Sequence, residues 1–218
     1  MQIYSDIKIL DLTRMMAGPS CTQVFADGGA TVYKIEMPDT GDDARHLPPF
    51  FNGESVLFMG YNRSKKSVAV DIKTPEGADL IRKLAKECDV VVENFKTGNL
   101  KKYGLDYDSI KSINENIIYC SITGYGQDGP KSHLPAYDFI IQGISGFMDI
   151  TGNPEETPLR HGLLICDHIT GLHAVMGISS ALYHRAKTGE GQFIDISMLD
   201  SAMSVYCLLY TSPSPRDS

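Results

Sequence analysis

The segment DVVVENF, residues 89–95, sets three valines in a row between polar ends. A strand with one wet face alternates apolar and polar residues. An unbroken apolar centre suits a strand covered on both faces, the setting of a parallel sheet. Parallel neighbours cannot be joined by a tight hairpin, so each connection must cross over, usually through a helix. The rest of the chain supplies that alternation. IKILDLT (7–13), ATVYKIE (30–36), KSVAVDI (66–72), NIIYCSIT (116–123) and FIDISM (193–198) are strand-like runs rich in β-branched residues. Helix-patterned segments lie between them. SCTQVFADGG follows a turn at Gly18-Pro19 and closes at Gly28-Gly29. TPEGADLIRKLAKEC has Thr74 as N-cap, Pro75 in the first turn, and Leu80, Leu84 and Ala85 on one face. YDSIKSIN and residues 138–148 are two shorter helices. A longer one runs from about Asp167 to Lys187, with Leu172, Val175, Met176, Ser179, Leu182 and Tyr183 at helical spacing. The pattern predicts an α/β architecture with a mostly parallel sheet and flanking helices. Residues 37–54, polar and rich in Pro and Gly, read as a long loop of the kind that often serves function.

Composition narrows the function classes. With 218 residues the chain can bury a sizeable core. Its formal net charge of −7 argues against nucleic acid as a partner, since phosphate contacts need a broad basic surface. A small anion held by a local basic cluster stays open. Cys21, Cys88, Cys120, Cys166 and Cys207 are scattered and odd in number, which predicts reduced thiols in a cytoplasmic setting. No CxxC or HxxxH spacing points to zinc, and no metal is expected. No apolar run reaches the length of a membrane span, and MQIYSDIKIL lacks the basic start and apolar centre of a secretory signal.

Some motifs carry less than they promise. GYGQDG, with Gly124, Gly126 and Gly129, matches G-x-G-x-x-G. A dinucleotide fingerprint must open straight into a helix, and KSHLP after Pro130 does not, so a loop lining a ligand is the better reading. Arg63, Lys65, Lys66, Lys73, Lys101 and Lys102 sit near predicted strand ends. They are either solvated surface charges or phosphate contacts at the carboxyl edge of the sheet. Asn94 and Phe95 sit at the same edge, where an amide and an aromatic face suit adenine or simply end a strand. Asp167 follows the apolar run Leu163–Cys166 at the start of the long helix. From the residues alone it either caps that helix or performs chemistry.

ILDLTRMMAGPSCTQVFADGGATVYKIE, RSKKSVAVDIKTPEG, DVVVENF, ITGYGQDGP, AYDFIIQGISG and TGEGQFIDISMLD occur in this order. Together they resemble the family III CoA-transferases, which include formyl-CoA and carnitine CoA-transferases, to about residue 204. The resemblance implies a Rossmann-type domain that this chain leaves incomplete. Residues 1–204 would be the N-terminal part of the large CoA-binding and catalytic domain. Residues 198–209 begin a helix that gives way to YTSPSPRDS, so 205–218 read as a helix end plus a foreign or disordered tail. Members are about twice this length and form interlocked homodimers, so the fragment alone is expected to be poorly active and prone to aggregate.

The resemblance also implies site residues. Asp167 matches the nucleophile that takes the acyl group from an acyl-CoA and passes CoA to a carboxylic acid. The covalent species are an aspartyl–acyl anhydride and an aspartyl-CoA thioester. Coenzyme A is then a substrate thioester, and no permanently bound cofactor is implied. Met15 and Met16 match the segment beside the pantetheine. Val70 and Lys73 match adenosine-side positions, Asn94 and Phe95 the ENF signature, and Lys102 a phosphate-binding position. Met37 and Pro135 depart from members carrying Arg and Lys there. Gly124, Gly126, Tyr137 and Asp138 would line the active site. The similar α-methylacyl-CoA racemases carry His where this chain has Tyr137, and a tyrosine is a poor general base at neutral pH. A racemase is therefore the alternative, and a non-catalytic CoA-binding piece is another. His161, His168 and His173 read as ordinary packing or surface residues. Likeness to dicarboxylate-handling members suggests succinyl-CoA as donor.

Overall fold

In the computed structural model, residues 2–153 and 155–206 are described. Cys207 and the segment YTSPSPRDS, with the end of the helix expected over 198–209, lie outside them. The main sheet has the order β5-β2-β1-β6-β7-β8. Its strands are β1 (Lys8–Asp11), β2 (Thr31–Glu36), β5 (Lys66–Ala69), β6 (Val90–Glu93), β7 (Ile118–Thr123) and β8 (Phe193–Ser197). Every pairing in it is parallel. Chain order reverses between β1 and β6, the Rossmann-type switch point at which such sheets open a crevice for ligands.

Successive side chains of the central strands go to opposite faces, and both faces are dry. Ile9, Val90, Val92, Ile118 and Cys120 pack beneath α1 (Ala17–Asp27) and α6 (Ile165–Thr188), against Phe25, Ala174 and Ile178. Leu10, Val91 and Tyr119 pack on the other face against Ile81 and Ala85 of α3 (Pro75–Lys86) and Ile110 of α4 (Tyr107–Lys111). Each such aliphatic or aromatic side chain is worth about 1.5–3 kcal/mol when fully buried. This two-sided burial explains the unbroken valines of DVVVENF.

Several expectations change in detail. Gly18-Pro19 is not a turn before α1 but part of its first turn. A first-turn N–H has no intrahelical acceptor, so proline costs nothing there. Gly18 is required by contact: a Cβ would lie 2.3 Å from the Thr13 side chain. Thr74 does cap α3, accepting from Gly77 N–H at 3.0 Å. The inward face of α3, however, is Gly77, Ala78, Ile81 and Ala85, and Leu80 is exposed. On α6 the expected stripe divides: Val175 and Leu182 pack against the core, while Leu172, Met176 and Tyr183 are exposed. Its fully buried face is Cys166, Thr170, Gly171, Ala174, Ile178 and Ala181, and the close approach to α1 falls at Gly171. A Cβ on Gly171 would fall 2.2 Å from Ser20 Oγ.

The loop expected over 37–54 is more ordered than its composition indicates. It holds a 3-10 turn at Asp43–His46 and the antiparallel pair β3 (Phe50–Phe51) and β4 (Glu54–Ser55). It leads into α2 (Val56–Asn62), capped by Ser55. No helix among the described residues is long and apolar enough to cross a membrane.

Candidate active site

The carboxyl ends of β1 and β6 flank two joined cavities at the switch point. A cavity of about 240 Å³ is bounded by Ile35, Met37, Asp42, Val70, Ile72 and Lys73. A larger one, about 460 Å³, runs past Met15, Met16, Thr123, Gly124 and Tyr137 to Asp167. Arg14, Asp43, Phe95 and Asn99 line both and form the waist between them.

The wall at Met15 is held by buried charge. Met15 adopts φ 69°, uncommon for a non-glycine residue. Its N–H donates to Asp42 Oδ1 at 3.0 Å, and Lys34 Nζ donates to Asp42 Oδ2 at 2.7 Å and to Thr13 O. Asp11, at the end of β1, accepts from the Thr13 N–H at 2.9 Å and the Thr22 hydroxyl at 2.6 Å. Lys65 Nζ reaches Asp11 at 3.1 Å, Asn62 Oδ1 at 2.9 Å and Pro19 O at 3.0 Å. Lys65 is therefore neither a solvated charge nor a phosphate contact; its side chain is 1% exposed.

On the opposite wall, Asp167 lies in the first turn of α6. It is not the cap: Leu164 holds that position and offers no side-chain bond. The capping role falls to Asp138, the first residue of α5 (Asp138–Ser145), whose Oδ2 accepts from the Asp167 N–H at 2.9 Å. Gln142 Nε2 donates to the other oxygen of Asp138 at 2.5 Å. The Asp167 carboxylate itself has no hydrogen bond or ion pair among the described residues. Burial, and secondarily the charge of Asp138, push it up from 3.8 to about 7. A helix N-terminus favours the charged form, but desolvation and the neighbouring carboxylate outweigh it here. Tyr61 lies close enough for Asp167 to add to the upward shift that burial gives its phenol, and it bonds His168 Nε2 at 2.8 Å.

Most residues expected from sequence meet at these cavities. Val70 and Lys73 line the smaller one; Met15, Met16, Asn94, Gly124, Tyr137 and Asp167 line the larger; Phe95 lines both. Asn94 also has a structural task. Its carboxamide clasps the backbone of Arg14, accepting from N–H at 3.0 Å and donating to the carbonyl at 2.8 Å. The clasp uses one acceptor site and one of the two N–H donors, so it shapes the waist and leaves the second donor facing the cavity that Asn94 lines. Lys102 lines neither cavity and lies over the Tyr103 ring, 4.9 Å from its centre. Gly126 also lines neither; at φ 80° it turns the GYGQDG loop against Asp195. That loop leads into no helix before Asp138, which removes the dinucleotide reading. Asp138 stands behind the cleft wall, buried.

Sequence reasoning missed Arg14, Asp43 and Thr123. Thr123 lines the Asp167 cleft with a buried hydroxyl that has no partner among the described residues. Only its place at a strand end, before Gly124, could have marked it. No histidine lines the Asp167 cleft among the described residues. The His161 ring accepts from the Leu163 N–H at 3.1 Å, and the His173 ring meets Ile169 O at 3.0 Å. No three His, Cys, Asp or Glu among the described residues group as metal ligands.

The comparisons with known proteins agree with this geometry. The sequence profile described as CoA-transferase family III matches residues 4–213. The chain is 47% identical to the succinate–glutarate CoA-transferase of Agrobacterium fabrum, over 92% of this chain and 52% of the relative. It is 48% identical to the human succinyl-CoA:glutarate CoA-transferase, over 93% of this chain and 46% of the relative. A crystal structure of a CaiB/BaiF family protein from Brucella suis superposes with a TM-score of 0.89 at 44% identity, covering 95% of this chain and 58% of that one. The chain spans about half the length of the curated relatives it matches.

Proposed function

The chain belongs to CoA-transferase family III, and from that premise we propose that it carries the nucleophile and much of the CoA cleft of an acyl-CoA:carboxylate CoA-transferase. The observation that carries the reading is the unpaired Asp167 carboxylate at the end of a cleft of about 460 Å³ on the switch-point edge. Val70, Ile72 and Lys73 suit the adenosine end, and Met15 and Met16 suit the pantetheine arm leading to Asp167. A C4 or C5 dicarboxylate, with succinyl-CoA as donor, is the substrate class that the names of the relatives support.

The chemistry follows from the site. An Asp167 oxygen attacks the thioester carbonyl carbon, the C–S bond breaks, and CoA leaves as thiolate. The product is a mixed anhydride between Asp167 and the acyl group. The thiolate attacks the aspartyl carbonyl, releasing the donor acid as its carboxylate and leaving an aspartyl-CoA thioester. The acceptor carboxylate attacks that thioester, giving a second anhydride. The thiolate then takes the acceptor acyl group and regenerates Asp167. No net proton is consumed. A carboxylate with a value of about 7 is partly ionised at neutral pH and, being poorly solvated, is a better nucleophile than one in water. The start of α1 opens on the same cleft through Met16 and Ala17 and has no side-chain cap. Its first N–H groups suit the oxyanion of each tetrahedral intermediate.

The test is intact mass spectrometry of the whole protein with succinyl-CoA. An adduct on Asp167 is expected, and Asp167→Ala should lose it together with roughly a thousandfold or more of the exchange rate. Exchange that persists at the wild-type rate in Asp167→Ala refutes the reading.

A further inference from the structure

The waist between the two cavities carries a cation that the sequence did not single out. Arg14 lines both cavities. Its backbone is gripped on both sides by the Asn94 carboxamide. Its guanidinium lies 5.9 Å from the centre of the Phe95 ring. Its ionic partner is Asp43, at 3.1 Å, and both side chains are more than half exposed. An exposed pair of this kind is worth little and is readily exchanged. The contrast with Lys34 and Lys65, both sealed on their carboxylates, is sharp: Arg14 has a fixed backbone and a replaceable partner.

Resting on the CoA reading above, we propose that Arg14 is the residue that recognises the diphosphate of the CoA thioester, exchanging Asp43 for it as the ligand enters. The diphosphate is the link between adenosine and the pantetheine arm. A ligand laid from the Val70 cavity to Asp167 therefore carries it across this waist. A guanidinium forks onto two phosphate oxygens, which a surface carboxylate does not outcompete. Asp43 lines the same waist and opposes the diphosphate by its charge. It thus sets a threshold that a ligand lacking the diphosphate gains nothing by crossing.

Calorimetric titration of the whole protein with CoA, 3′-dephospho-CoA and pantetheine separates the possibilities. Arg14→Gln should weaken CoA and 3′-dephospho-CoA about tenfold, the size of one charge-assisted contact, and leave pantetheine unchanged. Asp43→Asn should tighten the two diphosphate ligands by a few fold, and that gain should shrink when combined with Arg14→Gln. Equal loss for all three ligands, or none, in Arg14→Gln overturns the assignment, as does weaker CoA binding in Asp43→Asn. A wild-type protein that binds none of the three refutes the CoA reading itself, and the arginine's role falls with it.

Discussion

Two groups of buried carboxylates stand at the same edge of the sheet and are treated in opposite ways. On the β1–β2 side, burial pushes Asp11 up, but Lys65 and Lys34, with the Thr13 and Thr22 hydroxyls, overturn that and hold it at about 2. Burial likewise pushes Glu36 up, but hydrogen bonds from Arg45 and Ser67 hold it at about 2. On the α5–α6 side, Asp138 lies beside Asp167 with no cation between them among the described residues, and Asp167 rises to about 7. The first group is satisfied and fixes backbone; in the second, Asp138 accepts from Gln142 and the Asp167 N–H, and the Asp167 carboxylate has no partner among the described residues. Carboxylates at one sheet edge thus divide by their partners: cations and hydroxyls hold Asp11 and Glu36 low, and Asp167, without them, is raised.

The scaffold side breaks most severely through its cations. Lys65→Met fills a similar volume but leaves Asp11 charged, fully buried and without its nearest cation. Removing one partner of such a pair costs about 3–5 kcal/mol, because the other charge keeps its desolvation penalty. Lys65 is itself pushed down by burial, with Asp11 pulling the other way, so the penalty is shared within the pair. A thermal melt at pH 7 should show the largest loss of stability of any change described below. A melt within a degree of wild type would show that Lys34 and the hydroxyl partners stabilise Asp11 without Lys65.

How much of this was legible depends on range along the chain. The strands were, because a parallel strand buried on both faces leaves an apolar run with no need of its neighbours. The Thr74 cap was, because donor and acceptor lie three residues apart. The partners of Lys65 and Lys34 were not. Asp11 lies 54 residues from Lys65, and Asp42 sits in a stretch whose Pro, Gly and acids read only as loop. Helix α2 was missed because seven residues, mostly facing outward, leave little periodicity. Asp167 shows the limit most clearly. The residues around it favour a cap, and only the resemblance favours a nucleophile. The cap is in fact supplied by Asp138, 29 residues away.

The α5–α6 side should respond with the opposite sign. A carboxyl raised to about 7 in the fold, from 3.8 when unfolded, binds its proton more tightly in the native state. Its contribution therefore falls as pH rises from about 4 to 7 and is lowest above that range. Asp167→Asn removes the titration. It should stabilise the protein above pH 7 by something of order 2 kcal/mol, with the gain fading towards pH 4. Melts at pH 8 and pH 4.5 check this. A variant less stable than wild type at pH 8 would mean that Asp167 has a cationic partner in the whole protein.

The smallest effect tests whether the scaffold group owes its low values to hydrogen bonds as well as to cations. Ser67 Oγ donates to Glu36 Oε1 at 2.7 Å, while Arg45 grips the same carboxylate at 2.7 and 2.9 Å. Ser67→Ala removes one donor and leaves the cation, at a cost of about 1 kcal/mol. Glu36 is held at about 2 in the fold against its ordinary 4.5. Its contribution is thus full above 4.5 and disappears as pH falls through 2. The deficit of Ser67→Ala should accordingly be complete at pH 7 and shrink as acid protonates Glu36. If it stays constant down to pH 2.5, the hydroxyl acts by packing alone, and the low value of Glu36 belongs to Arg45.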